Sequence, residues 1–145
     1  MSAPLVKLCL LILAMTPLLT NNLRTGLVKN GLVGPLFVVG FLVAIFGTAF
    51  GAEPLKLSAL LGWGLAAAVI LPAAAYRAIP GGTAKFLIAL LPWFAFGDFM
   101  LVLTIGMFSA AAVAYGTGKN ALIVPPMMLA AFAVGLLPIF GFAPF

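Results

Sequence analysis

The seven basic residues of this 145-residue chain fall almost entirely in short polar segments that alternate with long apolar stretches. Only 6% of the residues are charged, whereas 66% are hydrophobic, and the mean hydropathy is +1.34. A soluble domain of this length needs many more polar side chains to cover its surface. We therefore predict an integral membrane protein whose single domain covers residues 1–145 and whose first partner is the lipid bilayer.

Six apolar segments are candidates for transmembrane helices, because a span needs about 20 apolar residues. They are Pro4–Thr20, Gly31–Phe50, Leu57–Tyr76, Phe86–Gly97, Phe99–Tyr115 and Ala121–Phe142. The fourth segment is short and contains Pro92. We therefore expect part of Pro80–Lys85 to enter the membrane as irregular backbone. The predicted fold is all-α, a polytopic membrane bundle of about six transmembrane helices.

The distribution of charge predicts how this bundle is oriented. The loops after the first, third and fifth spans contain no acid and five cations, namely Arg24, Lys29, Arg77, Lys85 and Lys119. The opposite side carries Lys7, Lys56, Glu53 and Asp98, and we expect Asp98 to lie in a turn. Because cytoplasmic loops are enriched in Lys and Arg, the five-cation side is expected in the cytoplasm. Both termini then lie on the non-cytoplasmic side.

Composition also narrows the possible chemistry. The chain has no histidine and one cysteine, so we predict no metal site and no cofactor. The cations are scattered between apolar segments, which argues against nucleic-acid binding, and a small-molecule ligand stays unknown. No predicted span has a charge near its centre, which argues against a pump or an ion-coupled transporter. Two pairs of small residues with four-residue spacing are predicted to pack helices together: Gly47 with Gly51, and Ala110 with Ala114.

Two of the basic segments have a more specific pattern. Residues 22–30 read Asn-Leu-Arg-Thr-Gly-Leu-Val-Lys-Asn, and residues 80–87 read Pro-Gly-Gly-Thr-Ala-Lys-Phe-Leu. These segments resemble the two active-site loops of the small type IV prepilin peptidases, which typically read Asp-x-Arg with a following Asn, and Gly-x-Gly-Asp-x-Lys. The matching residues, which are candidate binding residues, are Arg24, Asn30, Gly82 and Lys85.

The resemblance implies an aspartyl peptidase of the GxGD type that cleaves prepilin leaders with one aspartate from each loop. Such a dyad needs one ionised and one protonated carboxyl group. This chain has Asn22 and Thr83 at the two aspartate positions, and neither an amide nor a hydroxyl can replace a carboxylate as a base near pH 7. We therefore predict a pseudoenzyme with no catalytic residues.

The sequence thus favours a non-catalytic accessory subunit of a larger complex in the bacterial cytoplasmic (inner) membrane, with other integral membrane proteins as partners. One alternative is a factor that still binds prepilin leaders in a type IV or Tad pilus system. An active peptidase with unconventional groups, and a transport or scaffold protein whose resemblance is accidental, also stay open.

Overall fold

A computed structural model describes residues 3–50, 55–117 and 123–142, and the regular structure of these residues is entirely helical. The α-helices in chain order are α1 Ala3–Thr25, α2 Asn30–Phe46, α3 Leu57–Ala75, α4 Gly81–Leu90, α5 Phe96–Thr117 and α6 Val124–Leu136. Short 3-10 helices extend α2, α4 and α6 over Gly47–Phe50, Leu91–Trp93 and Leu137–Phe140. The all-α prediction is confirmed for the described residues.

Four of these helical segments are long and apolar enough to cross a membrane. They are Pro4–Thr25, Asn30–Ala49, Leu57–Ala75 and Phe96–Gly116. The apolar segment Val124–Phe140 is shorter. Helix α4 has 10 residues and is therefore about 15 Å long, half of the roughly 30 Å hydrocarbon core. Length and composition therefore make the chain compatible with a membrane protein and give four candidate spans.

The start of α4 corrects the expectation of irregular backbone over Pro80–Lys85. The helix begins at Gly81, five residues before the predicted span. Pro80 precedes it with φ −59° and ψ 138°, an extended conformation that directs the chain into the first turn. The backbone of Gly81–Lys85 is therefore helical, and the Ala84 amide donates a hydrogen bond to the Pro80 oxygen at 3.0 Å.

Asp98 also departs from the expectation, because it lies within a helix and not in a turn. It occupies the first turn of α5, where a carboxylate interacts favourably with the helix dipole. Lys7 of α1 is close enough to interact with it electrostatically. These two residues were predicted to share one side of the membrane, and the structure places them near each other. Glu53 lies outside the described residues.

The core is built around α4 and the 3-10 helix that follows it. Helix α2 packs against both, and α3 also packs against α4. Trp93 is fully buried, and its indole Nε1 donates a hydrogen bond to the main-chain oxygen of Leu36, at 3.0 Å. Trp63 of α3 donates similarly to the main-chain oxygen of Phe94, at 3.2 Å. By these two hydrogen bonds the indoles hold the break between α4 and α5 in place.

A second layer of packing joins α5 to α6, and α6 to α1. Ala110 of α5 is buried and Ala114 is half-buried. Gly106 lies one helical turn before Ala110 and contacts Met127 of α6 so closely that a β-carbon would overlap the Met127 sulfur. Gly47 is buried where α2 ends, and Gly51 lies outside the described residues.

Candidate functional site

The two segments that carry the family resemblance lie against each other at one end of the bundle. The Nζ atom of Lys85, in α4, donates a hydrogen bond to Oδ1 of Asn30, the first residue of α2, at 3.1 Å. A β-carbon on Gly82 would lie 3.3 Å from the Val28 β-carbon. The α1–α2 connection therefore packs directly on the N-terminal turn of α4, although more than 50 residues separate them in the chain.

The α1–α2 connection is fixed by side chains from the last turn of α1. Asn21 Nδ2 donates to the Leu27 oxygen at 2.9 Å, and the Leu27 amide donates to Thr25 Oγ1 at 3.2 Å. Gly26 has φ 68°, and its amide bonds to the Asn22 oxygen at 2.8 Å. These bonds hold the connection in one conformation, and they explain why α1 continues to Thr25 instead of ending at the predicted Thr20.

Asn22 and Thr83 are the two buried polar side chains of the described residues, at 1% and 7% exposure. Asn22 lies in the last turns of α1, and Thr83 is the third residue of α4. Within the described part of the chain, Asn22 Oδ1 is the buried side-chain polar atom that has no hydrogen-bond partner. The close approach of Asn22 and Thr83 that the resemblance implies, within about one water-bridged contact, stays a prediction.

Four of the five cations predicted to share one face are exposed at this end: Arg24, Lys29, Arg77 and Lys85. The first two flank the α1–α2 connection, and Lys85 reaches it by its bond to Asn30. Arg77 is four residues from Gly81, which limits their Cα separation to about 15 Å. Lys119 lies outside the described residues. We call this set of four the basic end, and no acidic residue occurs in its segments, residues 21–30 and 76–85.

Arg77 has an unusual backbone conformation for a residue with a side chain. Its φ is 58°, in the left-handed region. The Ala78 amide bonds to the Ala73 oxygen at 2.8 Å, and the Arg77 amide bonds to the Ala74 oxygen at 3.0 Å. This is a Schellman motif at the end of α3, where glycine is the usual residue. The motif fixes the direction in which the chain leaves α3 towards Pro80.

We predict that Arg77→Gly is more stable than Arg77→Ala by about 1 kcal/mol, because the left-handed conformation strains a residue with a β-carbon. Both variants remove the same charge, so the comparison isolates the backbone. The free energy of unfolding in mixed micelles measures the difference. Equal stability of the two variants would show that the Schellman motif does not persist in the folded protein.

The described residues of the site do not include the pair of carboxylates that aspartyl peptidase chemistry requires. Among the described residues, its polar side chains are amides, hydroxyls and cations, and Asp98 interacts instead with Lys7. No group of three His, Cys, Asp or Glu residues that could hold a metal ion is found in the described ranges. The arrangement can therefore donate hydrogen bonds to an anion or accept them at Asn22, but it offers no carboxylate pair.

Several structural roles at the site and in its support were missed from the sequence. Asn21 and Thr25 fix the loop, and their position before Gly26 was the available signal for a helix end. Gly40 was also missed: a β-carbon there would overlap the Trp93 indole. Nothing in the sequence pairs these two residues, which are 53 positions apart.

Comparison of the chain with family models, curated proteins and solved structures finds no match.

Proposed function

We propose that this chain is a catalytically inactive, prepilin-peptidase-like protein of the bacterial cytoplasmic membrane that serves as an accessory subunit of a larger membrane complex. The observation that carries the proposal is the contact of the two motif segments, with Lys85 bonded to Asn30 and Gly82 against Val28. Asn22 and Thr83, at the positions where the family has its aspartates, are both buried. A retained scaffold without the acids fits a role other than peptide cleavage.

The basic end supports the orientation of this subunit. Lys and Arg favour cytoplasmic loops, so we place the ends of α1 and α3 and the starts of α2 and α4 at the cytoplasmic face. With six crossings, both termini lie on the opposite side. Helix α4 is too short to cross alone, and in this proposal its 3-10 extension and the break before α5 complete the crossing inside the protein, as irregular backbone must.

Helix α3 offers the surface for a partner. It packs against α4 and α5, and its other face carries exposed apolar side chains at four-residue spacing. These are Leu57, Leu61, Leu65 and Val69. The spacing places them along one side of the helix, where they meet either lipid or another transmembrane helix. Since lipid is as apolar as leucine, shape complementarity along this stripe would decide whether it binds a transmembrane helix or stays in contact with lipid.

We expect the full chain, extracted from native membranes in mild detergent, to co-purify with another integral membrane protein. Leu61→Trp combined with Leu65→Trp enlarges the α3 stripe and is expected to reduce the recovered partner at least tenfold. Leu129→Trp on α6, an equally exposed leucine, is the matched control and should retain it. Quantitative mass spectrometry of the purified material measures the recovery.

The same preparation tests the absence of catalysis. Incubated with a prepilin that carries its leader, it should leave the leader intact between roughly pH 5 and 8, because neither loop supplies a group that titrates as a carboxyl does. Leader cleavage that is lost in Asn22→Leu would contradict the proposal. A chain that migrates alone, and whose deletion leaves membrane complexes unchanged, would contradict the subunit role.

Leader binding is the second candidate, and one specific observation favours it. The unpartnered Oδ1 of Asn22 is an acceptor at the basic end. A buried acceptor without a donor costs about 1–3 kcal/mol, a cost that a ligand with a suitable donor would relieve if local opening admitted it.

A further inference from the structure

The basic end has a second property that the accessory role does not use. Large apolar side chains are exposed between its cations: Leu23 precedes Arg24, Leu27 lies two residues before Lys29, and Tyr76 precedes Arg77. Their exposed fractions are 57%, 65% and 86%. A surface that meets only water would leave this apolar area uncovered at a cost. On this surface, cations that can bind an anion therefore alternate with apolar side chains that can contact the glycerol or hydrocarbon region of a lipid.

Anionic phospholipid is the ligand that matches both components. A phosphodiester accepts hydrogen bonds from guanidinium and ammonium groups, and the glycerol and upper acyl region covers leucine and tyrosine side chains. A soluble phosphate would leave the apolar residues exposed. A zwitterionic phospholipid has no net charge for the four cations, whereas each cation near an anionic surface strengthens binding about fivefold.

The backbone around the four cations is also held in place. Lys85 is bonded to Asn30, which leaves two of its three ammonium hydrogens for a ligand. Arg77 is placed by the Schellman motif, and the connection between Arg24 and Lys29 is held by Asn21 and Thr25. Because these parts are already ordered, binding loses less conformational entropy than it would at a flexible polybasic tail.

We propose that the basic end binds anionic phospholipid in preference to zwitterionic phospholipid. The cations Arg24, Lys29, Arg77 and Lys85 bind the phosphate, and the neighbouring side chains of Leu23, Leu27 and Tyr76 contact the apolar part of the lipid. The binding is independent of whether the chain is a subunit or a leader-binding factor. It requires only that this end lies at a membrane surface.

Native mass spectrometry of the full chain tests this proposal. The protein is reconstituted in an equimolar mixture of phosphatidylglycerol and phosphatidylcholine with the same acyl chains, and the retained lipids are counted. We expect phosphatidylglycerol to predominate. Arg77→Gln combined with Lys85→Gln should lower the ratio of the two lipids by about 25-fold, since each cation contributes about fivefold. Arg77→Lys with Lys85→Arg keeps both charges and should retain the preference.

Two controls separate the basic end from charge in general. Lys56→Gln removes one cation before α3, at the opposite end of that helix, and should leave the ratio unchanged. Arg24→Gln with Lys29→Gln is a second pair within the basic end, and it should reproduce the loss if the first pair fails to fold. Circular dichroism establishes that each variant is helical.

Three outcomes would overturn the proposal. The first is equal retention of the two lipids, or an unchanged ratio in both double variants. The second is release of phosphatidylglycerol by millimolar inorganic phosphate, which would indicate a site for a soluble anion. The third is its release by an acidic peptide such as polyglutamate, which would indicate an acidic protein partner.

Discussion

Gly40→Leu is expected to lower the free energy of unfolding by about 3 kcal/mol, the upper part of the range for overpacked cores. Gly40 is buried on α2 at the point where the Trp93 ring crosses it, and even a β-carbon would overlap that ring. Trp93 cannot move away freely, because it is fully buried and bonded to the Leu36 oxygen. Reversible unfolding in mixed micelles, followed by tryptophan fluorescence, measures the loss.

Gly34 provides the matched control on the same helix. It is exposed, and a β-carbon there would meet no atom within 4 Å. Gly34→Leu should therefore change stability by no more than about 1 kcal/mol, in the direction of better helix propensity. Combining Gly40→Leu with Trp93→Ala should cost less than the sum of the single changes, since the removed indole leaves space for leucine. Additive costs would show that Gly40 and Trp93 do not touch in the folded protein.

The existence of each helix could be predicted from the sequence, because each corresponds to an apolar segment between polar ones. The ends could not. Helix α1 continues past Thr20 because Asn21 and Thr25 make hydrogen bonds that a hydropathy pattern does not contain. Helix α4 begins at Gly81 because Pro80 sets the entry of the chain, whereas the shortness of the fourth apolar segment had suggested irregular backbone. Local side-chain chemistry thus decided the boundaries.

The part of the candidate site that could be predicted is the part whose residues match the peptidase motifs in order and spacing. The resemblance assigned Asn30 and Lys85 to the two loops of one site, and the structure joins them by a hydrogen bond. The contact of Gly40 with Trp93 had no such guide, because close approach of two helices depends on the complete packing. Burial of Asn22 was equally hidden, since a polar residue near a helix end is usually solvated.

Substitution of Asn22 is expected to have the second large effect on the free energy of unfolding, and the direction of the effect depends on the new residue. Asn22→Leu should raise the free energy of unfolding by about 1–2 kcal/mol, because it removes a buried acceptor that has no partner. Asn22→Asp should lower it by about 3 kcal/mol at neutral pH, because a carboxylate would lose its hydration at a position that is 1% exposed. Thr83→Val, at the other buried polar position, is the comparison variant. Unfolding in mixed micelles measures all three.

The stabilised Asn22→Leu variant also separates the two proposed functions, because any loss of function cannot then arise from poor folding. If the chain is an accessory subunit that docks through α3, this variant should recover its membrane partner at the level of the unmodified chain. If the chain binds prepilin leaders through the free Asn22 acceptor, the variant should lose leader binding at least tenfold, about 1.4 kcal/mol. Loss of both activities would place Asn22 in the partner interface, and it would contradict docking through the α3 stripe. A variant no more stable than the unmodified chain would mean that Asn22 Oδ1 has a donor in the folded protein.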